Sequence, residues 1–384
     1  MQPVNFTAEP ALRVAFYCNL MGWPKRSSGG VRQWVLTLAN ALVERGVAVD
    51  VLCEVPASRF IDEPALDPRV GRVVLGRFLL ARWRLDRYVR RHPGVRIVSA
   101  LNRYNIGAAK LKRRLGASVH VMLTQHENLS ADKAWLSRRK FSRAAHAARE
   151  LFSSADAIVA VSHGVADDLR DNFGVDPLRL HAIYNPAFRE DFLPAAASPI
   201  DHEWIVGKDR PVVLAAGRLH HVKGFDVLLR AFARLRESVD ARLLILGEGK
   251  EREHLEQLTK ELNLQDCVQL PGKVGSLAPW MARADLFVLS SRREGLSAVL
   301  VEALTIGMPI VSTACPSGPD EILENGRWGA LVPVEDVEAL AGAMSQALQG
   351  APTDRASLQA RAAEFSLDRA LEQYLALWRL PPSP

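Results

Sequence analysis

Cysteine is scarce: Cys18, Cys53, Cys267 and Cys315 are the four in 384 residues. They lie far apart, with no CxxC spacing. That argues against a disulfide framework or a zinc site and for reduced thiols in a cytosolic protein. No apolar run approaches the ~20 residues that cross a bilayer. Residues 1–10 hold no basic segment followed by an apolar one, so no secretory leader is expected. No GxGxxG follows a first strand, and Gly247-x-Gly249 lacks the third glycine, which weakens a nicotinamide-dependent reading. The absence of GxxxxGK[ST] excludes a P-loop NTPase. No DxD-type acidic pair stands where it could carry a metal. Basic residues are not interleaved with aromatics in any nucleic-acid-binding motif, so no nucleic-acid partner is expected.

What is present is a globular composition, 48% hydrophobic and 24% charged, on a chain long enough for two domains. The net charge of +6 is unevenly spread: residues 76–149 carry 18 Lys and Arg against 3 Asp and Glu, leaving the rest of the chain at −9. A basic block of that size fits either a solvated surface or attraction to an anionic membrane or lipid-linked acceptor. Its candidates are Arg82, Arg84, Arg87, Arg90 and Arg91 on one segment, and Arg113, Arg114, Arg138, Arg139 and Lys140 on others. Trp83, among them, reads either as an interfacial anchor or, more readily, as part of a buried helix face.

Short apolar runs alternate with helical periodicity. Arg13–Cys18, Val31–Arg45 and Val47–Cys53 read as strand, helix and strand, a βαβ unit. Further strands are expected at 96–100, 118–124 and 157–161, and a helix at 137–152. From Pro186 to Pro211 the alternation lapses into prolines and small residues, which reads as an interdomain linker. It resumes with strands at 212–216, 241–246, 267–270, 285–289 and 309–312, and helices between them. The expected fold class is α/β, with two Rossmann-like doubly wound domains, 1–195 and 208–365. A terminal helix within 366–384 is expected to pack back on the first.

Two stretches carry chemistry. In Ser290–Pro309, Glu294 and Gly295 occupy the turn after a strand, and a helix is expected from about Leu296. Glu302 then lies roughly 9 Å along its axis. The amides of Gly295, Leu296, Ser297 and Ala298 would favour an anion, while carboxylates accept from hydroxyls. In Leu214–Phe232, Arg218 and Lys223 flank a loop between strand and helix, where a guanidinium and an ammonium can neutralise a diphosphate. Alone, two glutamates eight apart or two basic loop residues are ordinary surface patterns.

Together, in this order and separation, the two stretches resemble the donor site of the retaining glycosyltransferases of family four, which have the GT-B fold. The likeness runs from Gly29-Gly30 to the terminal helix. It implies two domains facing across a cleft, with a nucleotide-sugar donor and no metal or other cofactor. By that resemblance Arg218 and Lys223 bind the diphosphate, Glu294 touches the transferred sugar and Glu302 holds the ribose. Gly295, Leu296 and Ser297 offer amides, Lys273 and Val274 lie beside the base, and Gly29 and Gly30 form a loop near phosphates and acceptor. His126 corresponds to a histidine near the reacting centre. Cys315-Pro316-Ser317-Gly318-Pro319, followed by Glu321, is similar to members that use UDP-sugars. The implied activity is transfer of a hexose or N-acetylhexosamine to a glycan or lipid-linked acceptor in cell-envelope polysaccharide or lipopolysaccharide biosynthesis. The expected location is cytoplasmic, peripheral at the inner face of the cell membrane. The competing readings are a GT-B nucleotide-sugar epimerase and a non-catalytic binding module.

Overall fold

A computed structural model of the chain describes residues 12–18, 30–55, 65–130, 146, 148–350 and 354–379. Gly29, Arg138, Arg139, Lys140 and most of the helix expected at 137–152 lie outside them. The chain divides into two compact units: Met1–Val161 with Val165–Tyr184 and Ala370–Pro384, and Ser162–Gly164 with Asn185–Arg369.

The first unit is built on a parallel sheet of β1 (Arg13–Tyr17), β2 (Ala48–Cys53), β3 (Gly71–Val74), β4 (Arg96–Ala100), β5 (His120–Gln125), β6 (Ala157–Ala160) and β7 (Leu180–Ala182). The spatial order is β3-β2-β1-β4-β5-β6-β7. Strands covered on both faces need apolar side chains throughout, and β5 and β6 are buried along their whole length. The sheet reverses direction of winding between β1 and β4.

In the helix Phe78–Arg91, Ala81, Leu85, Tyr88 and Val89 recur at helical spacing and are buried. Trp83 falls outside that stripe and is exposed, contrary to the buried face expected from the sequence. At the other end of the chain, the helix Leu367–Arg379 brings Tyr374 and Trp378 into this unit, their rings stacked at 5.3 Å. Tyr374 also lies 6.2 Å from the Trp34 ring.

The second unit carries β8 (Val212–Ala216), β9 (Arg242–Leu246), β10 (Val268–Gly272), β11 (Leu286–Leu289), β12 (Ile310–Thr313) and β13 (Ala330–Val332), in the order β10-β9-β8-β11-β12-β13. Its winding reverses between β8 and β11. The helix Phe225–Leu235 buries Phe225, Leu228, Leu229, Phe232 and Leu235 against the sheet. Two glycines permit close approaches there. A Cβ on Gly224, whose φ is +62°, would lie 2.0 Å from the Ser290 carbonyl, and one on Gly247 would lie 1.8 Å from that of Gly217.

Residues 186–211 are not a free linker; they pack on the second unit. Trp204 and Ile205 are buried, His202 Nε2 lies 2.9 Å from Gln269 Oε1, and Arg283 donates to the Ala196 carbonyl at 3.0 Å. The crossing point is therefore Tyr184–Asn185, earlier than the boundary at 195. Aromatic side chains inside a proline-rich stretch are what fasten it. Strands β3, β7 and β13, absent from the sequence reading, are edge strands of three or four residues, too short to stand out as apolar runs.

Replacing the fully buried Trp378 with alanine is expected to lower stability by ~3–5 kcal/mol, as for other large-to-small core changes. Chemical denaturation of the full chain measures it. A loss below about 1 kcal/mol would show that the terminal helix is not anchored by this ring.

Candidate active site

The candidate site of the second unit lies where β8 and β11 end. These are the two strands flanking the winding reversal, the position at which a crevice opens beyond the carboxyl ends of an α/β sheet. Arg218 and Lys223 follow β8; Glu294 follows β11. Lys223 sits in the turn His221–Lys223, closed by left-handed Gly224. Its Nζ lies 2.5 Å from Glu294 Oε1, and the same oxygen accepts from Ser291 Oγ at 2.6 Å. Both charged side chains are largely shielded from solvent, 22% and 10% exposed. Such an ion pair is little weakened by salt. Arg218 is exposed and makes no ion pair or side-chain hydrogen bond among the described residues.

The helix after Glu294 starts at Ala298, two residues later than the sequence suggested, and runs to Ile306. Gly295 and Leu296 bend into the helix, with Ser297 as N-cap at φ −84° and ψ 96°. The residues preceding the helix are held close to the loop around Gly318, as a Cβ on Gly318 would lie 3.2 Å from both the Gly295 carbonyl oxygen and the Leu296 Cα. The Ser297 hydroxyl is buried, in a residue 2% exposed, and has no hydrogen-bond partner. An N-cap hydroxyl ordinarily accepts from the first-turn amides; here it does not, and the Leu300 amide bonds the Ser297 carbonyl at 3.1 Å instead.

Glu302 lies just over one turn into that helix. Burial pushes its carboxyl up to about 7, and neighbouring Arg189 offsets this only in part. A carboxyl poised near neutrality is a feature of functional sites. Lys273 is exposed and Val274 half-buried, directly after β10.

Gly30 and His126 belong to the first unit. Gly30 opens the helix Gly30–Glu44 after the β1 loop, with open space where a side chain would be. His126 follows β5. Its ring meets Trp34 edge-on at 4.9 Å, and Nε2 lies 3.0 Å from Thr124 Oγ1. Burial lowers its pKa to about 4. The imidazole is thus neutral near pH 7, suited to hydrogen bonding and poorly suited to donating a proton as an acid.

Sequence reasoning missed a clamp. Arg292 is bidentate to Asp226 at 2.8 Å for both bonds, donates to the His221 carbonyl at 2.7 Å and pairs with Glu335 at 2.8 Å. Its amide also bonds the Val222 carbonyl at 2.8 Å. Burial would raise the Asp226 carboxyl, yet Arg292 holds it below the usual range. One guanidinium therefore fixes the loop carrying Lys223 against the loop carrying Glu294. Arg292 stands two residues before Glu294, but no spacing names Asp226 as its partner. Cys315 is buried close enough to Glu294 and Lys223 to feel both charges. Glu321, read as part of a UDP-type segment, accepts the amides of His163 and Gly164, each at 2.7 Å.

The family model for glycosyl transferases group 1 matches residues 210–350, and that for glycosyltransferase family 4 matches residues 28–187. The chain belongs to the group 1, family 4 glycosyltransferases. The N-acetylgalactosamine-N,N'-diacetylbacillosaminyl-diphospho-undecaprenol 4-alpha-N-acetylgalactosaminyltransferase of Campylobacter jejuni is 35% identical over 190 residues, covering 50% of each chain. The chain spans about half the length of curated relatives such as this one. The D-inositol 3-phosphate glycosyltransferase of Mycobacteroides abscessus is 26% identical over 93% of this chain and 87% of its own. HepE from Anabaena, solved in complex with UDP, superposes with a TM-score of 0.78 at 19% identity, covering 95% of this chain and 99% of that one. At that identity the likeness is one of fold: the chain has the two Rossmann-like domains of the GT-B class.

Two outcomes follow for this site. UDP should bind about tenfold more tightly at pH 8 than at pH 6, because Glu302 is deprotonated only above about 7 and its charged form is the better hydroxyl acceptor. The Glu302→Gln chain, titrated calorimetrically with the same ligand, should lose that difference; an unchanged pH dependence would exclude Glu302 from the nucleotide. Arg292→Ala should cost on the order of 2 kcal/mol of stability and lower kcat more than the affinity for donor, with partial recovery in Arg292→Lys.

Proposed function

We propose that this glycosyltransferase moves a hexose or N-acetylhexosamine from a UDP-sugar to a glycan or lipid-linked acceptor, with retention at the anomeric carbon. The placement of Lys223 against Glu294, beyond β8 and β11 at the winding reversal of the second unit, carries the proposal. One charged pair there offers a cation for phosphate and a carboxylate for sugar hydroxyls.

In this reading Arg218 and Lys223 face the diphosphate. The amides of Gly295, Leu296 and Ser297 and those opening the helix at Ala298 add donors. These groups are fixed before reaction, so they stabilise the charge that grows on phosphate as the bond from the anomeric carbon to oxygen breaks. Glu294 holds sugar hydroxyls, Glu302 the ribose, and Lys273 and Val274 lie beside the base. The electron pair leaves with the nucleoside diphosphate. The acceptor oxygen attacks from the same face, and its proton passes to the leaving phosphate. His126 and Gly30 serve the acceptor side, His126 as a neutral hydrogen-bonding group. No metal is used in this scheme. Arg218 and Lys223 supply the positive charge that a divalent ion would otherwise bring.

The acceptor is argued from two directions. The Campylobacter relative's name specifies a diphospho-undecaprenol substrate, and the +15 block at residues 76–149 suits such an anionic lipid phosphate. The enzyme would then work in envelope polysaccharide or lipopolysaccharide construction, peripheral at the inner face of the membrane. Among the described residues no helix is long and apolar enough to cross one.

A panel of nucleotide sugars with detection of released UDP or GDP tests the proposal. Turnover should require a UDP-sugar and acceptor together, persist in EDTA, and fall about 10²–10³-fold in Glu294→Ala or Lys223→Ala, the scale seen when one preorganised charge-stabilising group is removed. Release of free epimerised sugar without acceptor, or undiminished turnover in both variants, would refute it.

A further inference from the structure

We infer that Thr124 is a positioning residue that locks His126 as the Nε2–H tautomer, so that Nδ1 meets the substrates as a hydrogen-bond acceptor and selects a hydroxyl over a phosphate. The role given to Nδ1 rests on the proposed function. The tautomer does not, and it can be read without turnover.

Proton counting fixes the ring. A hydroxyl has one proton to give. Thr124 Oγ1 lies 2.8 Å from the Ser99 carbonyl oxygen, which can only accept, so the proton goes there. The same Oγ1 lies 3.0 Å from His126 Nε2. With its proton committed, Oγ1 can only accept from that nitrogen, and Nε2 must carry hydrogen. A neutral imidazole has one N–H, so Nδ1 holds a lone pair. The ring is neutral near pH 7 because burial lowers its pKa to about 4. Among the described residues Nδ1 has no hydrogen-bond partner.

Thr124 is itself held on every side. Asn105 Nδ2 donates to the Thr124 carbonyl at 3.0 Å, and Asn105 Oδ1 accepts from Ser99 Oγ at 2.7 Å. Ser99, Asn105 and Thr124 are all buried. A buried polar network with every member bonded is rigid, and it leaves Oγ1 little freedom to turn its proton toward the ring. Trp34, edge-on at 4.9 Å, packs against the imidazole. The turn that delivers Asn105 is strained. Leu101, which caps the helix Asn102–Leu115, has φ 76° and ψ 141°, a conformation that residues with side chains rarely adopt. Its carbonyl accepts the amides of Tyr104 and Asn105 at 3.0 and 2.9 Å. Strain of this kind gathers at functional sites. Ser99 lies in β4 and His126 follows β5, at the carboxyl edge of the first sheet.

The tautomer sets what the ring can recognise. A phosphate oxygen accepts, as Nδ1 does, and two lone pairs repel. A hydroxyl of the transferred sugar or of the acceptor donates, and so fits. A group built to bond one hydroxyl discriminates strongly against a substrate that lacks it.

Nitrogen NMR of the full chain labelled with 15N-histidine tests this, with His126→Gln assigning the ring. In the free wild-type chain Nε2 should be protonated, its proton protected from water, and Nδ1 unprotonated. Thr124→Val should expose that proton to rapid exchange and lower kcat/KM about tenfold, the scale of one neutral hydrogen bond. Thr124→Ser, which keeps the hydroxyl, should restore both. Thermal unfolding identifies the folded variants, and the wild-type spectrum decides the tautomer even if Thr124→Val does not fold. The UDP-sugar and acceptor that support turnover should move the Nδ1 resonance and leave Nε2 nearly still. Movement with the UDP-sugar alone places the hydroxyl on the transferred sugar; movement only once acceptor is added places it on the acceptor. An Nδ1–H ring in the wild-type chain would overturn the inference. So would an equally protected Nε2 proton in folded Thr124→Val, or substrates that turn over without moving Nδ1. If no nucleotide sugar turns over, the proposed function fails while the free-chain spectrum still decides the tautomer.

Discussion

The ion pair between Lys223 and Glu294 orders the second unit's site. Neither residue could sit alone in so shielded a position without a large desolvation cost. Each needs the other, and each is delivered by a different strand. The pairing therefore requires the β8 and β11 loops to meet, and several features make them do so. Gly224 permits the Ser290 carbonyl to approach where any side chain would collide. The Ser290 hydroxyl donates to the Lys223 carbonyl at 2.9 Å. Arg292 ties the same two loops from the other side. The site is thus a junction of two loops held by backbone packing, one glycine and one guanidinium.

That junction sits at the amino end of a helix, and electrostatics there favour an anion for three separate reasons. The amides of Ala298 and Val299 open the helix with no preceding turn to bond, while that of Leu300 is taken by the Ser297 carbonyl at 3.1 Å. The N-cap hydroxyl of Ser297 is buried without a bond of its own. Arg218 and Lys223 add formal positive charge. Against these stand two carboxyls, Glu294 and Glu302, which would repel phosphate and welcome hydroxyls. Glu294 is ion-paired with Lys223, whereas burial pushes the Glu302 carboxyl up to about 7, with Arg189 only a partial offset.

The first unit obeys a different logic. It shares the parallel architecture, but carries the basic block at residues 76–149, 18 Lys and Arg against 3 Asp and Glu. Its interior polar groups, such as His126 against Trp34 and Thr124, are desolvated and neutral. The proposed transfer would use that division, with the nucleotide held by the second unit and the acceptor served by the first.

The alternation of apolar runs with helical periodicity was enough to give the α/β class and most of the strands and helices. Buried parallel strands such as Val212–Ala216 need no tertiary information to be seen, because both their faces must be apolar. Arg218, Lys223, Glu294 and Glu302 were singled out differently: each pair alone is an ordinary surface pattern, and only their joint order and separation, through the family resemblance, marked them. Four things were decided only in three dimensions. The edge strands form because a neighbour offers its backbone, and backbone hydrogen bonds leave no mark on composition. Trp204 fastens residues 186–211 to the second unit, although proline spacing suggested a linker. Arg292 finds Asp226 66 positions away in the chain, a partnership no local pattern encodes. Trp83 faces outward because Ala81, Leu85, Tyr88 and Val89 had already filled the inward stripe, and which side of a helix is covered depends on what lies beneath it.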